Sequence, residues 1–370
     1  MGGLGSLDPC PGGTDMETFE MLILFVRPHN QCRSCGKGIA TSKNLTMLEV
    51  ATEAGVSPAT VSRVLTGSAR VAPATRRQVH AAVSRLGYLR RGERPGDTRH
   101  PPIIAAVICE PTVRVFNDPF FMRLIGGAEA YLAGRGAPLP LMSAANPSFA
   151  ATERHLLGGG ADGVLLVSVH GRHPLALTLG ATQLPIRCAG RMVEDVDMPY
   201  VDVDNRAGAR RAVELLLHTR SRIATIAGPA DLPAARDRLS GYLDAMAAAD
   251  RHPLIASGDF TPMGGKNAMR MLLDQAPNLD AVFAASDPMA IGAMSTLRHA
   301  GRRVPDDVAV IGFDDVTAAA FTDPPLTTVR QSVERLGALA AELLFEQVVS
   351  GIGPTKNVIL ATDLVVRGST

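Results

Sequence analysis

The sequence predicts an α/β chain, with a small three-helix head followed by a two-lobed core of doubly wound parallel sheets. Three observations carry this. Residues 45–66 hold two short helical patterns, each with its own start signal, separated by a tight turn. From residue 103 onward, short β-rich apolar runs alternate with helical stretches to the end of the chain. The composition, 46% hydrophobic and 20% charged over 370 residues, is that of a globular chain of two or three domains.

Thr46 and Glu49 stand at capping-box spacing, where a hydroxyl and a carboxylate satisfy each other's free backbone donors. Val50, Ala51 and Ala54 follow at helical spacing, and Gly55 sits where a left-handed residue ends a helix at little cost. Val56 can fill the angle between the helices. Ser57 is an N-cap, and Pro58 occupies the first helical position, where its missing N–H does no harm. Val61, Val64 and Leu65 give the second helix an inner face, with Thr60, Ser62, Arg63 and Thr66 outside it. A third helix is predicted over 73–86, with Val79, Ala82, Val83 and Leu86 inward and Gly87 as its stop. The tight helix–Gly–helix spacing is that of a helix-turn-helix that enters a DNA major groove.

Charge agrees. Residues 44–92 hold seven Arg and two Glu, a net +5, whereas the whole chain is +1 and the remainder therefore −4. A basic excess confined to one small domain is the footprint of phosphate binding.

The run Val50-Ala51 through Ala54-Gly55-Val56-Ser57 to Thr60-Val61-Ser62-Arg63-Val64-Leu65 resembles the lactose-repressor (LacI/GalR) family of transcription regulators, and the likeness continues through Thr75, Arg76 and Gly87-Tyr88. By that resemblance, Pro58, Ala59 and Arg63 occupy base-reading positions. Thr46, Ser57, Thr60, Ser62, Thr66, Arg70, Thr75 and Tyr88 match positions that hold the DNA backbone or brace the fold. Arg63 can donate two bonds to a guanine edge, worth about 1–3 kcal/mol of discrimination. Pro58 and Ala59 can offer only apolar contact, for instance to a thymine methyl.

In the core, strands are predicted over 103–109, 163–168, 186–189, 222–227, 281–285 and 308–313. Helices are predicted over 120–135, 207–218, 234–249, 264–275, 288–300 and 333–351. Such alternation implies parallel sheets covered on both faces, with ligands at the carboxyl ends of the strands. The loops there offer Asn117-Asp118-Pro119-Phe120-Phe121, Arg236-Asp237-Arg238, Gly258-Asp259-Phe260, Ser286-Asp287 and Asp314-Asp315, a mixture of aromatic faces, Arg and carboxylates suited to a small polyhydroxylated or heterocyclic ligand. The pieces Val203-Asp204-Asn205-Arg206-Ala207-Gly208, Ala235-Arg236-Asp237-Arg238, Gly312-Phe313-Asp314-Asp315 and Pro325-Leu326-Thr327-Thr328-Val329 are similar to the family's effector-binding core of two periplasmic-binding-protein-like lobes. The resemblance places Arg238, Phe260, Ser286 and Asp314 at effector-contacting positions, with Phe120 and Phe121 nearby. It implies a small-molecule effector, a sugar or related metabolite, and no cofactor.

The expected layout is an extension over 1–43, a DNA-binding head over 44–91, a hinge over 92–102 and a core over 103–370. The first lobe is expected at about 103–202 and 331–355, the second at about 203–330 and 356–370. The extension, rich in Gly, Pro and Cys, is expected to be disordered or to stem from a start codon placed too far upstream. Its Cys32-Arg-Ser-Cys35 lacks the further ligands a zinc site needs, so no metal is expected. Where the resemblance implies a hinge helix with a leucine wedged into the minor groove, the stretch Arg90-Arg91-Gly92-Glu93-Arg94-Pro95-Gly96 opposes a helix and the segment through Pro102 holds no leucine, so weak operator bending is expected. The family's tetramer-forming heptad repeat does not follow Asp363, and a homodimer on palindromic double-stranded operator DNA is expected.

The longest membrane-like run, Met21 to Val26, is far short of a span, and the acidic N-terminus is no secretory signal; a cytoplasmic chain is expected. The reading is an allosteric repressor. Its alternatives are an activator or dual regulator answering a non-sugar ligand, and a binding protein or enzyme without a DNA role. Gly158-Gly159-Gly160-Ala161-Asp162-Gly163 precedes a strand, whereas a dinucleotide fingerprint follows one, and neither a G-x-S-x-G nor an H-E-x-x-H motif occurs.

Overall fold

The computed structural model describes residues 46–65, 71–86, 88, 101–145, 149–193, 197–353 and 357–370. The extension over 1–43, Thr66, Arg70 and hinge residues 92–100 lie outside the described residues.

The head is built from α1 (Met47–Ala54), α2 (Pro58–Leu65) and α3 (Pro73–Leu86). Its start is the capping box: the Glu49 N–H donates to Thr46 Oγ1 at 3.3 Å, and the Thr46 N–H donates to Glu49 Oε2 at 2.6 Å. Gly55 ends α1 at φ 66°, and the Val56 N–H reaches back to the Ala51 carbonyl at 3.0 Å. Ser57 caps α2 by accepting from the Thr60 N–H at 3.1 Å. Val50, Ala51, Val61, Val64, Leu65, Val79, Ala82, Val83 and Tyr88 then close one small core.

The core chain runs β1 (Ile104–Ile108), α4 (Thr112–Asn117), α5 (Pro119–Ala133), β2 (Leu141–Ser143), α6 (Ala150–Leu157), β3 (Gly163–Val167), α7 (Pro174–Gly180), β4 (Ile186–Ala189) and β5 (Tyr200–Val203). It continues with α8 (Asn205–Leu217), β6 (Ile223–Ala227), α9 (Pro233–Ala248), β7 (Leu254–Ser257), α10 (Pro262–Gln275), β8 (Ala281–Ala284), α11 (Asp287–His299), β9 (Ala309–Phe313) and β10 (Thr327–Gln331). It ends with α12 (Val333–Ser350), β11 (Val358–Leu360) and β12 (Thr362–Val365).

Two six-stranded sheets result, ordered β11-β5-β4-β3-β1-β2 and β12-β10-β9-β8-β6-β7. The two orders are the same sequence of steps, but β11 joins its sheet parallel to β5 and β12 joins antiparallel to β10. Helices cover both faces of each sheet. In the first lobe, α5 and α12 pack one face through Leu124, Leu132, Leu336, Ala340 and Leu344, while α6 and α7 supply Leu156, Leu175 and Leu179 to the other. In the second, α10 and α11 cover one face and α8 and α9 the other. The α5–α12 contact is close because glycines meet backbone there: a Cβ on Gly337 would stand 1.9 Å from the Leu124 carbonyl oxygen.

The chain crosses between the lobes after β5, after β10 and after β11. The last crossing corrects one expectation. The stretch from 356 onward is expected in the second lobe, yet Val358–Leu360 pairs with Val201–Val203 of the first sheet, and the chain crosses only at Ala361. A three-residue, half-exposed edge strand has no pattern to say which sheet it joins.

Candidate functional site

On the head, α2 turns Val61, Val64 and Leu65 inward and leaves Pro58, Ala59 and Arg63 exposed on its outer side. Thr60 and Ser62 on α2, and Thr75 on α3, are half-buried. Thr46 and Ser57 spend their hydroxyls on the two helix starts. Tyr88 is buried in the head core.

The second site lies where the carboxyl ends of both sheets face each other. Arg238, on α9, is 5% exposed. Its Nε donates to Asn205 Oδ1 at 2.9 Å, and its Nη1 donates to the Ala285 carbonyl at 2.6 Å and to Asp314 Oδ1 at 3.1 Å. Its guanidinium carbon stands 3.7 Å from the Phe313 ring centroid and 5.8 Å from that of Phe260. Asp314 follows β9 with φ 113°, and Phe260 follows β7 with φ 64°. Such backbone is costly for residues with side chains and collects at ligand clamps. Burial pushes the Asp314 carboxyl up to about 6, against the downward pull of Arg238. Ser286 caps α11 by accepting from the Met289 N–H at 3.4 Å. Beneath it, Asp287 accepts from Thr328 Oγ1 at 2.6 Å and from the Val316 N–H at 2.8 Å, and burial raises its pKa well above the carboxylate range.

The first lobe supplies the opposing wall. Glu110, 2% exposed, follows β1. Its Oε1 accepts from Ser168 Oγ at 2.7 Å and meets Arg114 Nη1 at 3.2 Å and His170 Nε2 at 2.8 Å. Asp118 caps α5 through the Phe120 N–H at 3.0 Å, and burial raises its pKa. Phe120 meets Phe121 edge to face, with centroids 5.4 Å apart; Phe121, 2% exposed, belongs to the lobe core, while Phe120 keeps a partly exposed surface. Several contacts cross the cleft. His170 Nδ1 lies 3.0 Å from Asp231 Oδ2, the Gly171 N–H donates to the Asp231 carbonyl at 2.9 Å, Arg191 pairs with Asp237, and Arg114 stands 5.7 Å from the Phe260 centroid.

The structure thus brings Arg238, Phe260, Ser286 and Asp314 to one wall, with Phe120 at the end of the other lobe. Glu110, His170, Asp231 and Gln331, which no sequence motif marks, join them, as does Asn205 from the family-like piece at 203–208. Glu110 directly follows the first apolar strand run, so the rule of ligands at strand carboxyl ends reached its neighbourhood. Chemically, the cleft presents aromatic faces beside acids whose cations are already paired, an environment for hydroxyl groups. Among the described residues, no cluster of His, Cys, Asp and Glu can hold a metal ion, and Ser168 bonds to Glu110.

A helix-turn-helix head joined to a two-lobed, cleft-bearing core defines the class of ligand-responsive DNA-binding proteins. Residues 46–91 match the lacI family of bacterial regulatory proteins, and residues 212–370 match the periplasmic binding protein-like domain. The transcriptional regulator CelR of Thermobifida fusca is 42% identical over 334 residues, covering 88% of this chain and 98% of the relative. The repressor CytR of Escherichia coli K12 is 33% identical over 335 residues, covering 88% and 96%. A CelR–cellobiose complex superposes with a TM-score of 0.71 at 40% identity, covering 88% of this chain and all of that one. The lac repressor dimer bound to operator and the anti-inducer ONPF superposes with a TM-score of 0.66 at 25% identity, covering 88% and 99%. The chain belongs to the lacI family and is a DNA-binding transcriptional regulator. No helix among the described residues is long and apolar enough to cross a membrane.

Proposed function

We propose that the protein is a cytoplasmic, dimeric repressor whose operator affinity is set by cellobiose or a closely related short glucose oligosaccharide. One observation carries this reading: the buried Arg238–Asp314 pair beside Phe260 occurs in a chain 40% identical to the CelR–cellobiose complex along that complex's whole length. A sugar ring stacks its C–H face on Phe260 and Phe120, and its hydroxyls bond to the carboxylates and guanidinium. The protein acts by binding rather than turnover: sugar in the cleft changes how the lobes sit, and the lobes change how two heads meet a palindromic site. Such coupling is about 1–3 kcal/mol and is reciprocal.

Calorimetry with cellobiose, glucose and ribose, paired with anisotropy on a duplex selected from random sequence by the protein, tests both halves. Cellobiose is expected to bind most tightly and to shift operator affinity; equal or absent binding of all three sugars would overturn the effector assignment. For the head, Arg63→Ala is expected to lower specific binding by about 1–3 kcal/mol while sparing nonspecific binding. An unchanged specific-to-nonspecific ratio would remove Arg63 from base reading.

A further inference from the structure

Two buried amides sit beside the lobe crossings. Asn205 opens α8 directly after the first crossing and is 1% exposed; Gln331 ends β10 directly before the second and is 2% exposed. An Asn side chain has two N–H donors and one carbonyl acceptor. Asn205 Nδ2 donates to Asp202 Oδ1 and to the Val203 carbonyl, both at 3.2 Å and both on the last strand entering from the first lobe. Its Oδ1 accepts from Arg238 Nε in the second lobe. One side chain therefore joins the two lobes at the hinge. A carboxylate there could not donate to Asp202, and an apolar side chain would strand Arg238 Nε.

Gln331 acts on the other half of the pair: its Nε2 donates to Asp314 Oδ1, the oxygen that also takes Arg238 Nη1. Arg238 and Asp314 are thus each fixed by an amide on a different crossing. Among the described residues, Arg238 Nη2 and Asp314 Oδ2 carry no hydrogen bond, so these are the edges a ligand can engage. The path also returns across the cleft. Asp202 Oδ2 accepts from the Arg191 N–H at 3.2 Å and Nε at 3.4 Å, and Arg191 pairs with Asp237, next to Arg238 on α9. Rotating one lobe on the other strains this ring of polar contacts at the hinge.

We propose that Asn205 and Gln331 are positioning residues that convert ligand contact at the Arg238–Asp314 pair into a change of lobe angle. This rests on the effector reading above, and two separate measurements keep the two apart. The variants are Asn205→Asp, which keeps the acceptor for Arg238 and loses the donors, and Gln331→Leu; Thr225→Val, a buried hydroxyl bonded to the Phe283 carbonyl within the second sheet, is the control.

In the full-length protein, operator affinity is measured without cellobiose and at saturating cellobiose. Wild type is expected to change by about 5–150-fold. Either hinge variant is expected to fall to less than about threefold while its sugar-free operator affinity and cooperative melt persist. Thr225→Val is expected to keep the wild-type ratio. A wild-type ratio in both hinge variants, or an equal loss in Thr225→Val, would overturn the proposal. Small-angle scattering of the sugar-free proteins is the second measurement: both hinge variants are expected to show a larger radius of gyration than wild type. If cellobiose leaves wild type unaffected, the effector reading fails, and unchanged scattering then overturns the hinge assignment on its own.

Discussion

Arg238 has its charge balanced by Asp314, its plane covered by Phe313, and two further acceptors on its nitrogens, all at 5% exposure. Removing one member of a buried pair leaves the other charged and undersolvated, which costs about 3–5 kcal/mol. Arg238→Leu is therefore expected to destabilise the core by about that amount, read from the urea midpoint at unchanged slope. Asp314→Asn in the same chain should recover part of the loss, because the acid that lost its cation is then neutral. A single-variant loss below about 1 kcal/mol would show the pair to be solvated rather than buried.

At the scale of elements, the helix pairs are set by how near their backbones come. Gly337→Ala places a methyl against the Leu124 carbonyl, so α5 and α12 must separate; a loss of about 1–3 kcal/mol in a denaturation curve is expected. Gly126, on the exposed side of α5, has open space around its added Cβ, and Gly126→Ala should instead gain up to about 1 kcal/mol. A gain in both would mean helix propensity, not packing, controls the pair.

The same geometry explains what was legible. Strands β1, β3, β4, β6, β8 and β9 are buried along their whole length, so they read as apolar runs, interrupted only by Arg187 in β4 and Thr225 in β6. Strands β2, β7 and β11 lie at sheet edges, short and half-exposed, and gave no pattern. Strand β10 is buried but carries Thr327, Thr328 and Gln331, which hydrophobicity does not register. The cleft follows suit. Arg238, Phe260, Ser286 and Asp314 were reached through the family likeness and the strand-end rule. The likeness covers Asn205 but gives it no role in the cleft, and His170 and Gln331 stand outside it, because each takes its meaning from a partner far away in sequence: Arg238 for Asn205, Asp231 for His170 and Asp314 for Gln331.

For the whole molecule, the closed cleft is clasped by His170 between Glu110 and Asp231. Both ring nitrogens face carboxylate oxygens, an arrangement satisfied only when both carry a proton. The Glu110 hydrogen bond leads in raising the His170 pKa, burial opposes it, and Asp231 adds to the rise; Arg114 shares Glu110 and tempers its charge. A raised imidazole pKa means the clasp holds in full below the ordinary 6.5 and is lost as pH rises through the raised value. Cellobiose affinity is therefore expected to weaken as pH rises above 6.5 through the raised value, and His170→Gln should flatten that slope. Parallel pH profiles for the two proteins would remove His170 from lobe closure.

Three crossings also mean that neither lobe is a continuous stretch of gene. Residues after α12 supply an edge strand to each sheet in turn. The final segment is then fastened to the second lobe, where Arg367 pairs with Asp315, and Ser369 donates to the Val310 carbonyl and accepts from the Thr327 N–H. A premature stop codon after α12 would thus unravel both lobes at once, while leaving the reading frame of the DNA-binding head intact. Alleles of that kind would yield a head without a sensor, so a late nonsense mutation in this gene should behave as a regulatory defect of the whole protein rather than as a trimmed tail.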